Sequence, residues 1–523
     1  MKIQNTILFF LLVSLLAFSC KREESTRWEI DGRAPIASGE IAWEDLIADS
    51  LLDVDSEGLL HLIYEQSLVD FGLDTLVEIA DTTITNSFDA GFTGGPIDIP
   101  AGQSIISLDE NINMNVNSAE LRRIVVESGV LSYSFKSYVG GPLDIEYTIP
   151  GVELGESSFG LTVTSEAGTD DAPWVYTNTV DLSGAIIDLQ GTSGNSTNEI
   201  ATYLSVNASS AAAEPVAVFG DDSVAIDLSF IDVRIAYGQG FFGTIESELD
   251  QLIDIEPLSN IGGGQLDLEE LGFAIDITNY IGADAQLTLS EIKGVRNENE
   301  VELTHTLIND QQNITRAIDN NGTVLPTNYS FLIDETNSNI VPLFELLPEA
   351  LNIQGDIVIN PLGDISGGND FIYTSQPLEA TFVADLPLCV GFQGVFFQDT
   401  LEIDSRDEPI VGEGLLHIEA VNSFPLSASI TLRFLDDNNE QISLLLENGD
   451  VVSSMYDGTS YVPVTSMFDV VVSSEVLAAL NNANQLLMEV VLDTEGTELV
   501  KMNGEEKIEL NITAEGSIQL SYE

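Results

Sequence analysis

The chain has 523 residues, 44 % of them hydrophobic, and sets 86 acidic against 16 basic side chains for a formal net charge of −70. Scattered basic residues argue against a nucleic-acid partner and against adsorption on anionic lipid head groups, because both need clustered Lys and Arg. The apolar content and a mean hydropathy of +0.15 argue against disorder, so the acidity reads as solubility in an ionic medium. A chain this long does not fill one core, and three or four domains are expected.

The first 20 residues form a secretory pattern. Met1-Lys2 leads into a twelve-residue apolar run, Ile7 to Phe18, closed by the small residue Ser19 before Cys20. As a helix the run rises only about 18 Å, short of the roughly 30 Å hydrocarbon core. Leu16-Ala17-Phe18-Ser19-Cys20 resembles a bacterial lipobox, which implies cleavage after residue 19 and a covalent lipid on Cys20. Lys21-Arg22-Glu23-Glu24 resembles, with Arg22 as a departure, the basic-then-acidic export signal of Bacteroidota surface lipoproteins. That likeness implies an outer-membrane protein facing the exterior, with the periplasmic face as the alternative.

Residues 20–45 read as a lipidated tether containing Trp28, Pro35 and Trp43, and residues 46–92 as a small N-terminal β-hairpin region. In the latter, Asp53, Asp55, Glu57 and Gly58 imitate the opening of a calcium loop, which wants oxygen ligands at alternate positions and a glycine at the sixth. Tyr64 stands at the twelfth position in place of the bidentate carboxylate, so a plain turn is the favoured reading. Calcium on Asp53, Asp55 and Glu57 is kept as the weaker one.

Beyond residue 92 the chain alternates in period two, with Gly, Asn, Asp and Pro between runs, which predicts an all-β fold with minor helix. Helices are expected over Asn339–Leu351 and Glu475–Asn484, the second capped by Ser473 or Ser474. Three segments share one pattern: Ser137-Tyr-Val-Gly-Gly-Pro-Leu143, Asn279-Tyr-Ile-Gly-Ala-Asp-Ala285 and Asn422-Ser-Phe-Pro-Leu-Ser427. Each has a Ser or Asn, a turn, then an alternating strand, with Gly129, Gly272 or Gly414 upstream. Asn195–Asn198 before Ile200–Val206 returns as Asn481–Asn484 before Leu486–Leu492, and Gln239-Gly-Phe-Phe242 returns as Gln393-Gly-Val-Phe396. These matches predict three tandem β-sandwich-like units, over 93–210, 211–360 and 361–523, each built around a β-hairpin at the shared segment. The array is expected to be elongated, with its last unit farthest from Cys20. The Asn–turn–strand pattern is similar to the repeated β-sandwich motif of the WHy/late-embryogenesis-abundant family.

Catalytic signals are sparse. His61, His305 and His417 are dispersed, Cys389 lies in an apolar run as a buried thiol, and there is no Gly-x-Ser-x-Gly, phosphate-binding glycine loop or His-Glu-x-x-His. Trp174 and Tyr176 are offered as a sugar-binding platform, with core capping the favoured reading. Asp49-Ser-Leu, Asp74-Thr-Leu, Asp222-Ser-Val and Asp399-Thr-Leu look like Bacteroidota O-glycosylation sites. The expectation is a lipid-anchored, secreted, non-catalytic interaction or assembly component whose partners are other surface proteins or glycans. The alternatives are a carrier of lipid or another hydrophobic ligand, and a glycan-binding accessory of polysaccharide uptake.

Overall fold

The computed structural model describes residues 26–43, 47, 51–72, 76–77, 79–93, 95–255, 263–268, 271–403, 410–436, 438–457, 460–496 and 499–522. Cys20 and the signals on either side of it lie outside these. Strands dominate, and they repeat one plan three times. In the first unit one sheet runs Thr82–Asp89, Ser223–Phe241, Glu120–Ser137, Trp174–Asp181. In the second it runs Leu60–Phe71, Leu378–Pro387, Gly272–Asn279, Thr327–Asp334, and in the third Thr26–Ala42, Lys507–Tyr522, Ile410–Asn422, Val464–Val471.

The opposing sheets match as well. They are ordered Ser104–Asn113, Glu199–Ala208, Leu143–Leu154, Ser157–Thr164 in the first unit, and Val395–Glu402, Gln485–Asp493, Ser427–Leu435, Gln441–Val451 in the third. The second has Ile245–Asp254, Ala350–Ile359 and Ala285–Arg296, followed by the short strands Asn299–Glu302 and Gln311–Ile314. In the first unit alone Ile186–Asp188 pairs with both Glu120–Ser137 and Leu143–Leu154, joining the sheets along one side. Alternation puts one side chain in two into the interior, as in the buried Phe273, Ile275 and Ile277 of the second unit or Leu416, Ile418 and Ala420 of the third. Each fully buried large aliphatic or aromatic side chain contributes roughly 1.5–3 kcal/mol, so these faces dominate the stability.

The shared segment is not a hairpin. Gly272–Asn279 pairs with Thr327–Asp334 and Leu378–Pro387, whereas the strand after the turn, Ala285–Arg296, pairs in the opposite sheet. The chain therefore crosses the sandwich at each repeat, and its corner backbone has no ladder to join. A buried side chain replaces the ladder. Asn279 is fully buried; its Oδ1 accepts from Ile281 N–H at 2.9 Å, and its Nδ2 donates to the carbonyls of Ala283 at 3.1 Å and Thr315 at 3.0 Å. Asn422 repeats this with Phe424 N–H at 2.9 Å and the carbonyls of Leu426 at 2.8 Å and Val452 at 3.1 Å. Ser137, also fully buried, manages one longer bond, accepting from Val139 N–H at 3.4 Å. Hairpin and crossing corner use the same turn residues, and only the pairing partners distinguish them.

Three further expectations need adjusting. The boundaries at 211 and 361 fall before the closing strand of a unit: Ser223–Phe241 pairs with Glu120–Ser137, and Leu378–Pro387 with Gly272–Asn279. The first helix covers only Ile340–Glu345, because Leu347 is left-handed at φ 52° and Ala350–Ile359 joins a sheet. The second runs Ser474–Asn482, with Ser473 Oγ accepting from Val476 N–H at 3.2 Å.

The order of the units is also reversed. The segment read as a tether becomes the edge strand Thr26–Ala42, antiparallel to the last strand from Thr26↔Tyr522 to Ala42↔Lys507. Leu60–Phe71 then enters the second unit and Thr82–Asp89 the first. The N-terminal region is thus a strap that gives strands to the units in the order third, second, first. The units then follow in sequence order back toward the strap's start, so the third is nearest the N-terminal segment and the first is farthest.

Replacing Asn422 by Ala strands one buried N–H and two carbonyls. Chemical denaturation should show the third unit weakened by about 2–4 kcal/mol, with new protease cleavage around residues 423–426. An unchanged transition would remove the corner from the account.

Candidate functional site

The calcium-like loop closes a hairpin between Leu52–Val54 and Leu60–Phe71. Asp55 Oδ1 accepts from the N–H groups of Glu57 at 2.8 Å and Leu59 at 2.9 Å, and Gly58 takes φ 84°, so this carboxylate fastens the turn. Those bonds, the Leu59 one above all, hold Asp55 below the usual carboxylate range. Asp53 Oδ1 is bonded to Val54 N–H at 3.0 Å. Among the described residues no group of three or more His, Cys, Asp or Glu is placed to hold a metal ion. Asp319–Gly322 and Asp436–Glu440 are Asx-type turns of the same kind, each aspartate accepting backbone N–H groups.

The three histidines stay apart, and two of them bridge strands. His61 Nδ1 lies 2.7 Å from Asp385 Oδ1, with Asp55 Oδ2 3.5 Å from Nε2. His417 stands between Asp469, 2.6 Å from Nδ1, and Glu515, 3.0 Å from Nε2. Both are raised above the ordinary histidine value, first by the hydrogen bonds to Asp385 and Asp469 respectively. His305 Nδ1 accepts from Leu307 N–H at 3.1 Å.

Cys389 is buried at 6 % exposure in the short strand Cys389–Gln393 between the second and third units. Trp174 and Tyr176 stack at 6.2 Å on the edge strand Trp174–Asp181, and both pack against the core, with Tyr176 opposite the buried Phe135. That placement caps the core instead of presenting a loop platform. Of the glycosylation-like sites, Ser50 and Thr75 lie outside the described residues, Thr400 is exposed and Ser223 is half-buried. No helix among the described residues is long and apolar enough to cross a membrane.

The joints between units hold the chemistry that motif reading passed over. At the first joint Asp370–Tyr373 pairs with the end of Ser223–Phe241, and the Phe371 ring lies where a Cβ on Gly282 would stand, 2.2 Å away. Beneath it Arg316 bridges Asp284 at 2.9 Å and Asp370 at 3.1 Å, while Asn360 Nδ2 donates to Asp370 at 2.8 Å. Burial raises Asp370 despite the arginine, as expected for a carboxylate only 1 % exposed. At the second joint Trp43 Nε1 donates to the buried Glu506 at 3.0 Å, and its ring meets Phe424, in the Asn422 corner, edge-on at 5.6 Å.

A cleft of about 280 Å³ opens beside the first joint. Arg122, Arg123, Glu153, Asp188, Gln190 and Gln239 line it from the first unit, and Asn369 from a loop of the second. Arg122-Arg123 was visible as one of two adjacent basic pairs in the sequence, but nothing in the local pattern told that it faces a cleft.

No protein-family model matches the sequence, and neither does any curated protein. Among solved structures, a protein of Parabacteroides distasonis, provisionally described as secreted, aligns with 52 % of this chain and 83 % of its own at 14 % identity and a TM-score of 0.26.

Two outcomes check this geometry. Calorimetric titration with calcium should give no heat and no thermal shift, because Asp55 already serves the turn; a saturable signal lost in Asp53→Asn would reverse that reading. The histidine bridges stabilise the fold fully below the unfolded histidine value of about 6.5, and that contribution is lost as pH rises through the raised folded values. Substituting His61 and His417 together by Gln should therefore lower the melting midpoint more at pH 6 than at pH 9; an equal loss at both would count against the bridges.

Proposed function

We propose that this chain is a lipid-anchored, non-catalytic surface lipoprotein that serves as an interaction or assembly component, held in the outer membrane by acyl chains on Cys20. The observation that carries the reading is the strap. Residues 21–25 separate Cys20 from the paired strand Thr26–Ala42, and extended they reach only about 18 Å. A lipid on Cys20 would keep the third unit close to the bilayer and project the first unit outward. The joints are filled by buried side chains, so the array suits a spacer that offers loops, edges and clefts to partner proteins or glycans. Outward orientation on the cell exterior belongs to the same proposal.

Cys20→Ala should give a folded chain released into the soluble fraction with an unchanged melting midpoint. Protease treatment of intact wild-type cells should cut loops of the first unit, and pull-down from shaved and unshaved surfaces should then differ in its partners. A Cys20→Ala chain that still pellets with membranes would sink the lipid anchor, and cleavage only after lysis would sink the outward orientation.

A further inference from the structure

The cleft beside the first joint gathers polar groups that the fold leaves largely unused, although Asp188 Oδ1 accepts from Gln190 N–H at 2.8 Å. Arg33, Lys136, Lys293, Arg316, Arg433 and Lys507 all meet carboxylates, as basic residues in so acidic a chain are expected to. Arg122 and Arg123 have neither an ion pair nor a side-chain hydrogen bond among the described residues, and the same holds for Glu153 and for the amides of Gln190 and Gln239. Arg123 lies directly opposite Asp188 on one neighbouring strand and Gln239 on the other, which puts the three on one face.

Glycines keep the space open. Gly368, left-handed at φ 73°, lies so close to Arg122 that a Cβ would stand 2.7 Å from its Cζ. A Cβ on Gly151 would come within 3.1 Å of the Asp188 carbonyl oxygen. Asp364 Oδ1 fixes the second unit's loop by accepting from Gly368 N–H at 2.7 Å, and Asn369 Nδ2 is spent within it on the Ser366 carbonyl at 2.8 Å.

The composition of the cleft selects its ligand. Two guanidinium groups lining one cleft suit a carboxylate, which accepts from their paired N–H donors. Glu153 and Asp188 would repel a compact anion such as phosphate, yet they accept from hydroxyl groups, and the two amides can both donate and accept. A neutral sugar leaves the arginines unmatched. A ring bearing a carboxylate and several hydroxyls matches every group, and the volume, near the lower end of the roughly 300–1,000 Å³ of small-molecule sites, holds one or two such rings. We propose that this cleft binds an acidic saccharide, with its carboxylate on Arg122 and Arg123 and its hydroxyls on Glu153, Asp188, Gln190 and Gln239. The site does not depend on the membrane attachment.

The test is calorimetric titration of the full chain with galacturonate and glucuronate oligomers, a neutral galactose trimer and inorganic phosphate. Saturable binding of a uronate oligomer is expected, with at least tenfold weaker binding of the other two. Arg122→Gln and Arg123→Gln should each weaken the uronate by about tenfold or more at an unchanged melting midpoint, and Gln239→Ala by a smaller factor. Absence of uronate binding, or binding that survives Arg122→Gln and Arg123→Gln combined, would overturn the proposal. Equal binding of phosphate or of the neutral trimer would overturn it too, since the cleft would then be reading only charge or only hydroxyls.

Discussion

A buried amide at the point where the chain passes between facing sheets is the constraint on which this fold depends. Strands within a sheet satisfy one another, but sheets stack about 10 Å apart and the backbone that bridges them leaves both ladders. Asn279 and Asn422 each supply one acceptor and two donors at that point, which is why they are fully buried yet well bonded. A buried asparagine without those bonds would be strongly unfavourable. Ser137 is too short for the whole task, and in the first unit Ser165 Oγ assists by accepting from Leu143 N–H at 3.1 Å. Both asparagine corners also receive a neighbour. Phe371 seats over Gly282 in one, and Trp43 packs on Phe424 in the other. Ser137 occupies the corresponding corner of the first unit.

This coupling explains how a chain carrying so much negative charge remains an ordered array. Among the described residues ion pairs are few because cations are few, and most are at least partly exposed, where such pairs contribute little. Burial and pairing do the holding instead. The strap gives every unit a strand that is remote in sequence from the rest of that unit, so the units are not independent beads. The core is continuous as well, running from Ile36 and Trp43 through Phe273 and Phe135 without a break at either joint.

The repeat was legible because its physical cause is a residue type. An asparagine ahead of a turn and an alternating strand leaves a trace in the sequence, and the returning segments fall on equivalent strands: Glu199–Ala208 matches Gln485–Asp493, and the two Gln-Gly segments both lie where one unit passes to the next. Alternation likewise revealed the β class and the buried faces. Partner choice was illegible. Nothing local distinguishes a hairpin from a crossing corner, or tells Thr26–Ala42 to seek the far end of the chain. Boundaries placed from the repeated segments therefore cut off closing strands whose partners lie about a hundred residues earlier. The cleft was hidden for the same reason, since Arg123, Asp188 and Gln239 become neighbours only through strand register.

The strap has a mechanical consequence. With a lipid on Cys20, any pull between bilayer and outer partner enters the protein at Thr26 and runs along the axis of Thr26–Ala42. Hydrogen bonds in an antiparallel pair lie across that axis, so drag in flowing medium would load the whole ladder from Thr26↔Tyr522 to Ala42↔Lys507 in shear. A peeling force would open such a ladder one bond at a time, whereas shear must break it together. Beyond that strand the tension passes to Trp43, its bond to Glu506 and its contact with Phe424, and from there to the Asn422 corner. With such an anchor, mechanical resistance would be concentrated where Thr26–Ala42 and Lys507–Tyr522 meet.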